Sequence, residues 1–368
     1  MRILSFDFEP ASDRGGQEKS LFDILIGLKS LGHDIVLGYV VEGDLLPSYR
    51  SQGIQCLRLS RANIQHKFSP IQWCELFTSA YRLSRQEGDV LYLNQIIDGP
   101  LGVATKLLRR IPYIVCHLRL PPMTNCGQVR LSTPRIDRFI TANSLMRDLH
   151  AEAGFPEDRI DIIPNGLPIN SNVHFQKRTF EKLNIAFLGR FHPVKGLALL
   201  IEALGMVRRA GLNFQLSIGG KPRDQKEEAF KERLIKKAQE YNVNDSINWA
   251  GFVKDPEQFL SKHDLCVFPS QWDEPFGRVM VESLLAYTPV IASLRGSSRE
   301  ILNDPQGKWL FSDAPDLARK LVAFADDPEA YPLEEKYTYV RKRYDLKIVV
   351  PQIESCLLRA LSSSRKTN

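Results

Sequence analysis

The stretch 264–293, DLCVFPSQWDEPFGRVMVESLLAYTPVIAS, decides the architecture. DLCVFPS (264–270) is an apolar run of strand length, and a loop carrying Pro269 and Pro275 follows it. A helix is expected from near Phe276 or Gly277, and the next strand is PVIASL (289–294). Strand, helix and apolar strand in this order make a parallel sheet covered by helices. One residue breaks the pattern. Glu282 lies among Val279, Met280, Val281, Leu284 and Leu285, where an ionised side chain is costly unless something pairs with it.

Outward from this unit the alternation runs the length of the chain. Strands are expected at 2–8, 34–40, 89–95, 113–118, 138–143 and 159–166, then at 183–190, 214–220, 247–252, 264–270 and 289–294. Amphipathic helices fill the gaps; over 18–31 one face carries Leu21, Ile24, Leu25 and Leu28. The pattern predicts an α/β protein of two doubly wound, Rossmann-like parallel-sheet domains facing a cleft. The expected boundaries are a first domain at 1–170, a polar linker at 171–182, a second domain at 183–345, and a C-terminal helix and tail at 346–368 that can pack back across the hinge.

The 368 residues allow two cores, and 43% hydrophobic with 25% charged residues is ordinary for globular domains. A net charge of +6 favours phosphate-bearing ligands or anionic membrane surfaces, but it is too small and dispersed to argue nucleic acid. No apolar run is long enough to span a bilayer, and Asp7 and Glu9 sit where a signal peptide would be apolar, so a cytoplasmic protein is expected. The cysteines at 56, 74, 116, 126, 266 and 356 show no metal-ligand spacing and read as reduced, mostly buried residues.

In open α/β sheets ligands gather at the carboxyl ends of strands, so those loops carry the candidates. Gly15 and Gly16 follow the first strand and open a helix, where backbone N–H groups can approach a phosphate or sugar; paired glycines also serve plain turns. They are not a Gly-x-Gly-x-x-Gly fingerprint, so no nicotinamide or flavin cofactor is indicated. Arg190 ends the strand at 183–190 and Lys195 directly precedes a helix that begins near Gly196; a lysine there opposes the helix dipole unless an anion lies between, or is simply solvated. His117 ends a strand, as a structural or a functional histidine. The loop 119–135, with Arg119, Arg130 and Arg135, either greets an acidic acceptor or is a solvated basic loop. FDFE (6–9) is read as lying inside the first strand rather than as a metal motif. Glu274 lies just outside the helix of the opening stretch and Glu282 within it, and both can accept hydrogen bonds from sugar hydroxyls; the alternative for Glu282 is an ion pair with Arg278, in the weaker order on a helix.

Together GGQEKSL (15–21), His117, IIPNG (162–166), GRFHPVKG (189–196), AGFV (250–253) and EPFGRVMVE (274–282) resemble the retaining glycosyltransferases of family 4, which have the GT-B architecture. The resemblance implies a nucleotide-sugar donor of the uridine or guanosine diphosphate type, bound mainly by the second domain. Arg190 and Lys195 are then expected on the diphosphate, with Phe276, Gly277 and Arg278 at the helix start beside it. Glu274 is expected on the donor sugar, Glu282 on the ribose, Gly15 and Gly16 near the phosphates, and His117 facing the transferred sugar. Catalysis would fall to Arg190, Lys195, Glu274 and His117, with retention of configuration and neither metal nor cofactor. The acceptor would be a carbohydrate or a lipid-linked molecule, with peripheral contact to an anionic membrane through basic segments such as KLLRRIP (106–112). A sugar-nucleotide epimerase and a catalytically silent scaffold of the same architecture are the rival readings.

Overall fold

The computed structural model describes residues 1–64, 69–108, 111–123, 126–169 and 181–362. The chain divides into two compact units, one of Met1–Pro168 with Tyr344–Asn368 and the other of Ile169–Arg343. The first runs β1 (Arg2–Asp7), α1 (Gly16–Ser30), β2 (Asp34–Tyr39), α2 (Leu46–Ser51), β3 (Gln55–Arg58), α3 (Pro70–Ser84), β4 (Val90–Leu93), α4 (Gly99–Leu107), β5 (Tyr113–His117), α5 (Gly127–Ser132), β6 (Arg138–Thr141), α6 (Ser144–Glu152) and β7 (Ile160–Ile162). The second runs β8 (Leu183–Leu188), α7 (Leu197–Arg209), β9 (Phe214–Gly219), α8 (Gln225–Glu240), β10 (Ile247–Gly251), α9 (Pro256–Ser261), β11 (Leu265–Phe268), α10 (Arg278–Leu285), β12 (Val290–Ser293), α11 (Ser298–Leu302), β13 (Leu310–Phe311), α12 (Ala314–Asp326) and α13 (Leu333–Tyr344). α14 (Leu346–Ser362) closes the described chain.

Each unit is one parallel sheet. The seven strands of the first lie in the order β3-β2-β1-β4-β5-β6-β7 and the six of the second in the order β10-β9-β8-β11-β12-β13. The order reverses between β1 and β4 in the first sheet and between β8 and β11 in the second, and those two switch points are where ligands collect in open α/β sheets. Central strands read as continuous apolar runs because helices cover both faces: Ile3, Leu4, Phe6, Leu91 and Leu93 are fully buried.

α14 belongs to the first unit. Its Val349, Val350, Ile353 and Leu357 share a core with Leu21, Ile24, Leu25 and Leu28 of α1. Val350 sits so close to Gly27 that a Cβ there would meet Val350 Cγ2 at 2.4 Å. Within the first unit Leu167 N donates to Tyr344 O at 2.8 Å and Leu346 N to Leu167 O at 2.9 Å, which ties the start of this last segment to the end of the first.

Several expectations are corrected. β3 and β13 were not anticipated; both are short, β3 is an edge strand with no buried residue, and β13 has two residues. FDFE does not lie inside β1, which ends at Asp7, leaving Phe8 and Glu9 in the following loop. The basic loop 119–135 contains α5 and a further helical turn at Thr133–Arg135, with Thr124 and Asn125 outside the described residues. Most of the expected linker, 171–180, and the tail 363–368 also lie outside the described residues, as do Arg109 and Arg110 of KLLRRIP. No helix among the described residues is long and apolar enough to cross a membrane. The cysteines are all unbridged, and three are buried: Cys116, Cys266 and Cys356.

Candidate active site

In the second unit the loops leaving β8 and β11, the strands at the switch point, are bolted to each other. The β8 loop passes exposed Arg190 and a helical turn at Pro193–Lys195 before Gly196 caps α7. Gln271 N donates to Val194 O at 2.6 Å, and Ser270 Oγ reaches the same carbonyl at 3.3 Å. Gly196 has φ +75°, and a Cβ on it would lie 1.7 Å from Pro269 O. Only glycine allows that left-handed turn and that approach at once.

The fixed loops deliver Lys195 onto Glu274. Lys195 Nζ donates to Glu274 Oε1, which Ser270 Oγ also reaches at 3.1 Å. Lys195 lies 5.9 Å from the Trp272 ring centroid as well, a cation–π distance. Glu274 is buried, and its backbone is pinned from the next loop: Ser297 N donates to Glu274 O at 3.1 Å, Gly296 N to Asp273 Oδ1 at 2.9 Å and Ser297 Oγ to Phe276 O at 2.6 Å. A buried carboxylate held this firmly is a positioned group, not a surface charge.

α10 begins at Arg278, one residue later than the sequence suggests, with buried Phe276 before it and Gly277 as N-cap at φ +71°. Gly277 has no side chain to cap this end, so the start of α10 can serve an anion as helix N-termini do. The ion pair that the sequence offers as the alternative for Glu282 is present in the structure. Arg278 Nε donates to Glu282 Oε1 at 2.7 Å, with the side chains only 14% and 13% exposed. In so dry a setting direct contact outweighs the unfavourable order of charges along the helix.

The first unit gathers a second set of polar groups at its own switch point. His117 ends β5 and is buried; Nδ1 is hydrogen-bonded to the Tyr92 hydroxyl at 2.8 Å, while Nε2 is buried with no partner among the described residues. Burial, with the Arg119 charge second, holds its pKa well below the usual histidine value, so the imidazole is neutral. Arg119 donates through Nε to Asn94 Oδ1 and through Nη1 to Asn165 Oδ1, both at 2.6 Å. Asp7, at the end of β1, is pushed up to about 7 by burial and then by the Glu18 charge, against Glu9 N–H, Arg14 and Arg119. Asp98, just before α4, is raised well above the carboxylate range by burial and then by Asp7. Each of these two acids keeps one buried oxygen without a partner among the described residues. Gly15 and Gly16 stand at the start of α1 beside this set.

Of the residues expected from the sequence, Arg190 and Lys195 lie in the loop after the carboxyl end of central strand β8, and Glu274, Phe276, Gly277, Arg278 and Glu282 in the loop and helix after that of central strand β11. Gly15 and Gly16 follow the carboxyl end of β1 in the first sheet, and His117 is the last residue of β5. The sequence does not single out Asn94, Asp98 and Asn165; the one signal is at Asn94, a polar residue directly after apolar β4, whereas Asp98 and Asn165 lie further along their loops. Among the described residues no three of the His, Cys, Asp and Glu side chains come together as a metal site requires.

Two family models match the chain in succession, "Glycosyltransferase Family 4" over 14–171 and "Glycosyl transferases group 1" over 171–342. An uncharacterized glycosyltransferase of Methanocaldococcus jannaschii is 25% identical over 323 residues, 79% of this chain and 80% of that protein. A phosphatidyl-myo-inositol mannosyltransferase of Mycobacterium leprae is 30% identical over 239 residues, 62% of this chain and 60% of that protein. The fold is similar to Anabaena Alr3699/HepE, solved in complex with UDP and glucose, at a TM-score of 0.81 and 20% identity over 97% of this chain and 99% of that one.

Proposed function

The chain belongs to the family 4-like glycosyltransferases of GT-B architecture, and from that premise we propose that it moves a sugar from a nucleoside-diphosphate-sugar to a carbohydrate or lipid-linked acceptor with retention of configuration and without a metal. The observation that carries the reading is the Lys195–Glu274 pair held at the β8/β11 switch point beside Arg190 and the uncapped start of α10. Two cations and a helix N-terminus are suited to the charge that builds on a departing diphosphate, the task a divalent ion performs elsewhere. Lys195 has three N–H donors; one serves Glu274, so the same ammonium can also hold a phosphate oxygen. Glu274 then meets the transferred sugar from the other side of the lysine. The ribose hydroxyls donate to Glu282, whose carboxylate Arg278 already orients.

Retention without a protein nucleophile follows from front-side displacement. The glycosidic C–O bond to the diphosphate breaks towards an oxocarbenium-like state, a departing phosphate oxygen takes the acceptor proton, and the new C–O bond forms on the face just vacated. The neutral His117 is suited to a hydrogen bond with a sugar hydroxyl, which its buried Nε2 otherwise lacks. The first unit is read as the acceptor side, in peripheral contact with an anionic membrane from the cytoplasm. The test is product analysis by proton NMR with UDP- and GDP-hexoses after chelation. The expected result is a product with the anomeric configuration of the donor, formed at an unchanged rate; an isomerised nucleotide-sugar without acceptor, inversion, or strict dependence on added magnesium or manganese contradicts it.

A further inference from the structure

α3 is amphipathic in an unusual way. Leu76, Ala80 and Leu83 enter the core of the first unit together with Leu101 and Ala104 of α4 and Val129 of α5. The opposite side of α3 should be polar, yet Ile71 is 71% exposed, Phe77 50% and Tyr81 54%. Trp73 is exposed too, and its ring stacks on Phe77 at 6.1 Å. Trp73, Phe77 and Tyr81 are spaced one helical turn apart, so the three rings form one stripe. α3 packs on α4 and α4 on α5, and that layer adds Leu107, 68% exposed, and Leu131, 70% exposed. Single exposed apolar residues are ordinary on a surface; an aromatic stripe with flanking leucines on one layer is not.

The charge on this layer is one-sided. Over 70–85, 99–108 and 127–135 the charged residues are Arg82, Arg85, Lys106, Arg130 and Arg135 against Glu75 alone. Glu75 is occupied by Arg61 at 2.7 Å. Lys106 is likewise occupied by Asp137 at 2.6 Å, so the basic surface of the layer is that of the exposed Arg82, Arg85, Arg130 and Arg135. We propose that this α3–α4–α5 face docks on an anionic lipid surface, with Trp73, Phe77 and Tyr81 entering the headgroup region and the arginines meeting lipid phosphates. Trp and Tyr favour that boundary because one end of each ring system is apolar and the other polar, and basic side chains are drawn to anionic leaflets. A second copy of the chain fits less well: a two-fold contact would press the same basic patch against itself. The inference deepens the membrane contact of the proposed function and rests on that reading, and it supplies a reason for the surface: a lipid-linked acceptor is reached from the plane in which it lies.

The experiment is sedimentation of the full chain with vesicles of phosphatidylcholine alone or with about one quarter phosphatidylglycerol, alongside UDP and GDP binding measured without vesicles. The phosphatidylglycerol vesicles are expected to pellet the protein, less so as salt rises, and to shift its tryptophan emission to the blue; Trp73→Phe should lose that shift. Phe77→Ser with Tyr81→Ser, and separately Arg82→Glu with Arg130→Glu, should each weaken vesicle binding by about tenfold or more while leaving binding of whichever nucleotide the wild type takes unchanged. Equal binding to phosphatidylcholine, no binding to either vesicle, variants that bind as the wild type does, or a dimer dissociated by Phe77→Ser would each overturn the proposal. Binding of neither UDP nor GDP by the wild type would instead count against the transferase reading itself.

Discussion

Lys195 and Glu274 satisfy each other in the structure, so a diphosphate arriving at the site recruits a lysine already held in place rather than ordering a free one. Charge grows on the leaving group only in the transition state. Arg190→Ala and Lys195→Ala are therefore expected to lower kcat more than they raise the donor KM. Glu274→Gln should cost turnover on the order of 10- to 1000-fold, and Glu282→Gln should chiefly raise the donor KM, because ribose contacts change little along the reaction. Steady-state kinetics of the four variants checks this; the opposite split between the two glutamates reverses their roles. Asp7 invites a different measurement. Its carboxyl is raised from 3.8 to about 7, so the folded state binds the extra proton and stability from this group is lost as pH rises across that window, then stays constant above it. Asp7→Asn should remove that loss, which is on the order of a few kcal/mol, and raise Tm more at about pH 8 than at about pH 5 by thermal unfolding. An equal effect at both values contradicts the burial argument. At this scale the sequence was legible where chemistry was incongruous: Glu282 stood out as a charge among apolar neighbours. Asn94 and Asn165 did not, because what makes them site residues is Arg119, which joins them across 25 and 46 positions.

Elements were legible in proportion to their burial. β1, β4, β8 and β11 are apolar on both faces and announce themselves, whereas β3 has no fully buried residue and its periodicity is lost at the sheet edge. The loops between elements depend on backbone shape more than on side chains, and Gly196 is the sharpest case. Gly196→Ala combines φ +75° with a clash against Pro269 O and should destabilise the second unit by about 2–4 kcal/mol and displace Lys195. Gly211→Ala is the control: its φ is +86° but nothing lies within 4 Å, so strain alone, about 1 kcal/mol, is expected. Urea unfolding of the two variants separates the terms. Equal losses would mean that the fit between the β8 and β11 loops does not matter.

At the scale of the whole chain, the alternation of strands and helices gave both sheets, but a helix's destination is not written in its own periodicity. α14 is apolar on one face, and only the structure shows that face filled by α1. Arg359 and Arg138 both reach Asp161, at 2.7 Å each, and His33 Nε2 lies 2.7 Å from Glu354 Oε1. Ending the chain at Asp345 would uncover Leu21, Ile24, Leu25 and Leu28; the expected result is a first unit that is rapidly proteolysed beside a second unit that resists. Resistance of both units would show that α14 is an accessory. Function depends on the carboxyl ends of β8 and β11 holding a nucleoside diphosphate through Arg190, Lys195 and the start of α10. Titration calorimetry of UDP and GDP into the wild type and Lys195→Ala tests it most directly. The account predicts saturable binding of one of the two nucleotides without added metal, weaker binding of the corresponding monophosphate, and a marked loss of the difference between them in Lys195→Ala; equal affinities for di- and monophosphate in the wild type, or a variant that keeps the full difference, would contradict it.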